Sequence, residues 1–373
     1  VLAVANPELR PRLTALFKAV TIFTVVVLLA DLFSPSPYRS LFSNFERMEG
    51  FMMIGHLYLY FVMMSSVFRG RDWIIYFHST VAASLIVAYI GLTQKLGWRV
   101  SLQGGFRVDS TIGNPTYLAA YLLFNIWILF ILMYSFRRKW WAVGLYGAAF
   151  LFETAIMYFT ATRGAVLGFA ASLLFIGTAV VALWPHMFPQ QSAVKDKMNA
   201  WPWGRKLALA LLACVMLIPF SLWMARNSDF VSSNQVLRRL TNYSLNEGTI
   251  QARFKIWNMA LKGGLDRPIL GWGQENFYLV FQKYYNPALY SEEPWFDRSH
   301  NIIFDWLIHA GILGILSYAG ILGAACWGIL RAIKKTTGIL IERKMSGFPV
   351  WDGIIILAAL GAHMIQNLFV FDN

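Results

Sequence analysis

The sequence predicts an all-α, polytopic transmembrane helix bundle, and three observations predict it. Of the 373 residues, 57% are hydrophobic and only 14% charged, where ordinary soluble domains carry about 25% charged residues. Mean hydropathy is +0.52. Apolar runs long enough to cross a bilayer, about 20 residues each, recur along the whole chain. The aromatic content of 16%, with 15 Trp and 16 Tyr, suits many helix ends lying at headgroup level.

Nine runs meet that length: about 14–33, 51–68, 73–93, 116–135, 140–160, 164–184, 206–224, 302–330 and 350–370. The eighth is long and is expected to bend near Gly311 or Gly314, because glycine is a common site of helix distortion. No internal repeat and no low-complexity tract interrupts the series. The chain therefore reads as one integral membrane domain, 1–373. Its first 15 residues lack an apolar core followed by a small-residue cleavage site, so no removable signal peptide is expected. Cys214 and Cys326 both fall inside apolar runs, which argues against a disulfide framework or a metal cluster.

Lysine and arginine set the orientation. Alternate loops carry Arg10 and Arg12; Arg69 and Arg71; Arg137, Arg138 and Lys139; Lys195, Lys197, Arg205 and Lys206; and Arg331, Lys334, Lys335, Arg343 and Lys344. These nearly acid-free loops read as cytoplasmic. The net charge of +13 is then largely topological, and nucleic-acid binding is a poor inference from it. The other loops, about 34–50, 94–115, 161–163 and 225–301, mix arginine with Asp, Glu, Asn and Gly, and read as facing the periplasm or cell exterior.

The last of these, about 225–301, is the longest polar segment. It carries Arg226, Arg238, Arg239, Arg253, Lys255, Lys262, Arg267, Lys283 and Arg298, which the orientation rule does not explain. Asp229, Glu247, Asp266, Glu275, Glu292, Glu293 and Asp297 offset them, so a solvated loop is the plain alternative. Within the segment Thr249–Gly263 has helical periodicity, with Ile250, Phe254, Trp257 and Leu261 on one face. Gly263 and Gly264 are expected to close this short amphipathic helix. Arg253 sits beside the stripe. Gly271-Trp272-Gly273 resembles half a dinucleotide fingerprint, but no strand precedes it and no third glycine follows.

Arg163 stands at the outer end of the sixth crossing, followed by Gly164, Ala165 and Gly168, small residues that let another helix approach. A cation at that depth costs at least ~2.5 kcal/mol on insertion scales, so it has a partner, a purpose or a route to the interface. His300 opens the eighth crossing beside Arg298 and Asn301. Imidazole accepts a proton near neutral pH, and Asn301 can donate or accept a hydrogen bond. Farther along, Asp305 and His309 lie one turn apart and read as a structural pair. Asn114 and Pro115 read as the cap and first turn of the fourth crossing. Glu46 and Glu49 have spacing for a divalent cation, but Arg47 between them would repel it, so a metal-free mechanism is expected. His56, His78, His186 and His363 receive no role.

Arginine recognises phosphate oxygens bidentately and keeps its charge. Arginines at the outer surface therefore suit a pyrophosphate held at headgroup level, whose departure they would favour by matching its charge. His300 is then the base for an incoming hydroxyl.

TRGAVLG at 162–168, QARFKIWNMALKGGLDRPILGWG at 251–273, SHNIIFDWLIHAGILG at 299–314 and GNPTYLAAYL at 113–122 resemble, in order and spacing, the signature regions of the O-antigen ligase and O-antigen polymerase superfamily. The resemblance covers most of the chain from about Arg47 onward. It implies a GT-C-like membrane glycosyltransferase of the bacterial inner (cytoplasmic) membrane, active on the periplasmic face in cell-envelope and lipopolysaccharide biosynthesis. The implied donor is a glycan on undecaprenyl pyrophosphate, and no metal or other cofactor is implied. The acceptor is the lipid A core for ligases, the growing repeat for polymerases and a Ser or Thr for protein O-oligosaccharyltransferases. Arg163, Arg253 and His300 match the family's functional positions, as pyrophosphate-binding cations and acceptor-activating base. Arg298 and Asn301 are the further substrate-binding candidates. Members usually have more crossings than nine, which makes the sequence either incomplete or a short member. A transporter or flippase of lipid-linked sugars is the rival of another class, but it would place charge near the bilayer midplane and often show inverted repeats, whereas the charges here lie at one face.

Overall fold

The computed structural model describes residues 6, 10–45, 48–187, 203–242, 248–290, 295–343 and 348–368, without the side chains of 183–187, 203, 248–249, 335–343 and 348–349. Glu46, Arg47, Lys195, Lys197, Glu247, Glu292, Glu293 and Lys344 lie outside the described residues, as do the side chains of His186, Lys335 and Arg343.

In chain order the helices are α1 (Ala15–Leu32), α2 (Pro37–Phe42), α3 (Phe51–Val67), α4 (Gly70–Lys95), α5 (Pro115–Ser135), α6 (Trp140–Phe159) and α7 (Arg163–Met187). They continue with α8 (Trp203–Met224), α9 (Asp229–Ser233), α10 (Gln235–Thr241), α11 (Gly248–Asp266), α12 (Phe277–Lys283), α13 (Ile302–Arg343) and α14 (Phe348–Asn367). No strand occurs among the described residues. Eight of these helices, α1, α4–α8, α13 and α14, are long and apolar enough to cross a membrane. The ninth predicted crossing is α3, which is apolar but has only 17 residues. At ~1.5 Å per residue it reaches about 25 Å, short of the ~30 Å hydrocarbon core.

By packing, the chain divides into two compact units. The first comprises Val1–Asp72, Ser244–Gly328 and Asn367–Asn373; the second comprises Trp73–Tyr243 and Ile329–Gln366. The polar stretch 225–301 is thus shared between them.

In the second unit, Leu118, Leu122, Ile126 and Trp127 of α5 pack with Ile156 and Met157 of α6 and with Ile354, Ala358 and Ala362 of α14. Lipid tails are as apolar as these side chains, so close fit rather than escape from water holds such helices together. The small residues of α7 supply that fit: a Cβ on Gly168 would lie 2.4 Å from the carbonyl oxygen of Ala362, and Ala165 is fully buried. Asn114 caps α5 as expected, its Oδ1 accepting from the Thr116 amide at 2.8 Å, with Pro115 in the first turn.

In the first unit, α11 packs Ala252, Ile256, Met259 and Ala260 against Phe277, Val280 and Phe281 of α12 and against Ile308 of α13. The face carrying Phe254 and Leu261 is about half exposed, and the buried face is the one with the small residues. One expectation is corrected: the helix runs past Gly263 and Gly264 to Asp266. Those glycines are close-approach positions: a Cβ on Gly263 would sit 2.3 Å from Val280, and one on Gly264 would sit 2.5 Å from Leu307.

Helix α13 breaks where a bend was expected. Ala310 (φ −141°) and Gly311 (φ 62°) leave helical geometry. The break is filled by the chain at 268–273: the amides of Trp272 and Gly273 donate to the carbonyls of Ile308 and His309, at 2.6 and 3.0 Å, and the Ile312 amide donates to the Pro268 carbonyl at 2.8 Å. Backbone that leaves the helix inside a membrane protein must find such partners in the protein. The Gly271-Trp272-Gly273 stretch therefore has a structural role in place of a nucleotide-binding one.

Candidate functional site

Arg163 belongs to the second unit and begins α7. The turn before it, Thr160 to Thr162, is buried, and Ala161 has φ 50°, a left-handed conformation that non-glycine residues seldom adopt. Its polar groups are arranged as acceptors for cations. Arg107 Nε donates to the Thr160 carbonyl at 2.8 Å and its Nη2 to Thr162 Oγ1 at 3.1 Å. Arg239 Nε donates to the Ala161 carbonyl at 3.2 Å. Arg163 in turn donates through Nε to the Arg239 carbonyl at 2.8 Å and through Nη2 to the Asn242 carbonyl at 2.9 Å. Three guanidinium groups are thereby gathered on one short turn and on the end of α10, at the positive end of a long helix. Burial, followed by the charges of Arg239 and Arg163, pushes the Arg107 pKa down to about 10. An anion placed here would relieve that repulsion, and helix N-termini favour anions for the same reason.

Arg253 and His300 belong to the first unit. Arg253 is half-buried on α11, next to Ala252 of the packed face. The chain around His300 is held from several directions. Trp257 Nε1 donates to the Ser299 carbonyl at 3.1 Å. The amide and hydroxyl of Ser299 both donate to Asp305 Oδ1, at 2.9 and 2.8 Å. Asn301 Oδ1 accepts from the Ile303 amide at 3.0 Å and Nδ2 donates to the Leu368 carbonyl at 3.0 Å. Between these anchors His300 takes φ 56°, with its half-buried ring edge-on to Phe296 at 5.8 Å. A residue held in this region costs of order 1–3 kcal/mol and persists only where its surroundings over-determine it.

Two substrate-contact candidates turn out to be committed to the protein. Arg298 is 5% exposed; its Nη2 donates to Glu49 Oε2 and to Glu275 Oε1, both at 2.6 Å, and its Nη1 lies 3.0 Å from His309 Nε2. Two carboxylates match its charge, which makes it a buried hub of the first unit. Asn301 spends its side chain on the cap of α13 and on Leu368. The expected Asp305–His309 pair is replaced as well: Asp305 holds Ser299, while His309 lies against Arg298.

Residues without an assigned role in the sequence also enter these sites. Glu275, with φ 63° and 4% exposure, reads in the sequence only as an offsetting acid, and Arg107 only as a loop residue. The one sequence signal for Arg107 was a loop reading as outward-facing, where orientation does not account for basic residues.

A helical, multi-pass membrane protein with cationic and imidazole groups at its loop ends is the class that the fold defines. Residues 148–319 match the O-antigen ligase family. That match supports, at the family level, a membrane glycosyltransferase of the O-antigen ligase and polymerase superfamily. No curated protein matches the chain.

Proposed function

We propose that this protein is an O-antigen ligase: it moves a glycan from undecaprenyl pyrophosphate to a hydroxyl of the lipid A core at the periplasmic face of the inner membrane. The observation that carries the reading is the gathering of Arg163 and Arg239, which lie in the stretch that matches this family, with Arg107 on the turn before α7. Guanidinium groups bind phosphate oxygens in pairs and do so at any physiological pH.

In the reaction His300 takes the proton of the acceptor hydroxyl, and the oxygen attacks the anomeric carbon of the donor sugar. The bond from that carbon to the pyrophosphate oxygen breaks, and the lipid diphosphate leaves with the electron pair. Arg163 and Arg253 match the charge that develops on it, the part that a divalent cation takes elsewhere. The imidazolium then returns its proton to solvent or to the departing diphosphate. Arg298 acts as a positioning residue through Glu275 and His309, and Asn301 through the end of α13.

The test is reconstitution of the purified protein with undecaprenyl-pyrophosphate glycan and with lipid A core, glycan repeat or peptide as acceptor, in excess chelator. Glycosylation of lipid A core under these conditions is expected. Transfer to the glycan repeat alone would make the protein a polymerase, transfer to peptide a protein O-oligosaccharyltransferase, and a strict need for added Mg or Mn would remove the metal-free scheme.

A further inference from the structure

A cavity of about 260 Å³ lies in the loop between α4 and α5 of the second unit, and its wall includes Lys95, Arg99 and Arg107. None of the residues lining it is acidic. The nearby carboxylate, Asp109, is fully buried and occupied: Oδ1 accepts from Gln94 Nε2 at 2.8 Å, and Oδ2 accepts from Ser101 Oγ at 2.7 Å and the Gln103 amide at 2.9 Å. Gln94 braces the same wall from the other side, its Oε1 accepting from the Ser110 amide at 2.8 Å. The loop is thus a built structure, and Asp109 is spent on building it.

The three cations differ in how they are held. Arg107 is anchored to Thr160 and Thr162, as described above. Lys95 Nζ stands 5.0 Å from the centre of the Phe159 ring, a weak hold that leaves its ammonium exposed. Arg99 is exposed as well. Among the described residues none of the three forms an ion pair with a carboxylate. Three like charges around one concavity repel each other, and low-dielectric walls focus the resulting field.

We propose that this cavity is a second anion-binding subsite, for a phosphate ester, distinct from the Arg163 turn but sharing Arg107 as its inner wall. Its volume falls just below the ~300 Å³ at which small-molecule pockets begin, which suits a single phosphorylated sugar or headgroup and not an oligosaccharide. A phosphate ester brings up to two negative charges and several acceptor oxygens, matching two exposed cations and one anchored guanidinium. The subsite does not depend on glycan transfer, and its test needs no turnover.

The experiment uses the full chain in nanodiscs of neutral lipid, titrated calorimetrically with a hexose 1-phosphate, against a parallel set of discs containing phosphatidic acid in which retained lipid is counted by native mass spectrometry. The variant is Lys95→Ala with Arg99→Ala; both side chains are exposed, and an unchanged melting temperature checks the fold. Saturable binding of the hexose phosphate, weakened about tenfold or more in the variant, is the expected result and identifies a soluble ligand. Retention of phosphatidic acid by the parent but not by the variant supports the subsite equally and identifies a lipid headgroup. Absence of binding in both arms, or equal binding by parent and variant, overturns the proposal.

Discussion

The amide of Trp272 donates to the carbonyl of Ile308 at 2.6 Å, so a loop residue takes the bond that α13 loses at its break. Gly271, next to it, has φ 65°, and a Cβ there would lie 2.3 Å from the Ile308 oxygen. Gly311 on the other side has φ 62° and the same problem with Ile269, at 2.4 Å. Alanine at either position is expected to lower stability by about 1–3 kcal/mol or more. Gly320 and Gly323, elsewhere on α13 with nothing within 4 Å, are the controls. Thermal unfolding in detergent that moves equally for all four replacements would separate the loop from the break.

Arg298 satisfies Glu49 and Glu275 at once. Removing one partner of a buried pair leaves an uncompensated charge, at a cost of about 3–5 kcal/mol. Arg298→Ala is therefore expected to cost stability before it costs substrate binding, and adding Glu275→Gln is expected to recover part of it. Unchanged unfolding with a raised KM would instead make Arg298 a substrate ligand.

Arg163→Ala and Arg253→Ala are each expected to abolish glycan transfer in folded protein. Lysine at either place is expected to restore little, because an ammonium cannot offer two parallel donors. Normal turnover in both alanine variants would remove the pyrophosphate clamp, and melting temperatures separate that result from misfolding.

Asp266 accepts from Lys283 Nζ at 2.8 Å and from the Tyr284 hydroxyl at 2.6 Å, and these two bonds hold its pKa below the ordinary carboxylate value. A depressed folded-state pKa contributes stability above the unfolded value, and that contribution fades as pH falls through the folded one. Lys283→Ala is expected to move the Asp266 titration upward, read by carboxyl-labelled NMR, with a small effect on stability because the pair is at the surface. No movement would mean that Tyr284 alone holds the carboxylate.

The membrane class, the placement of eight of the nine expected crossings, the cap at Asn114, the bend near Gly311 and the small-residue face of α7 were all legible in the sequence. Each depends on apolar length or on a few neighbouring residues, which a linear reading contains. The same reading found one apolar stripe of α11 but not the small-residue face that packs, where Gly263 and Gly264 let Val280 and Leu307 approach. Nor could it show that Arg298 answers Glu49, or that Arg107 and Arg239 meet at the turn before Arg163. Those pairings join residues far apart in the chain, and only the folded backbone brings their charges within reach of each other.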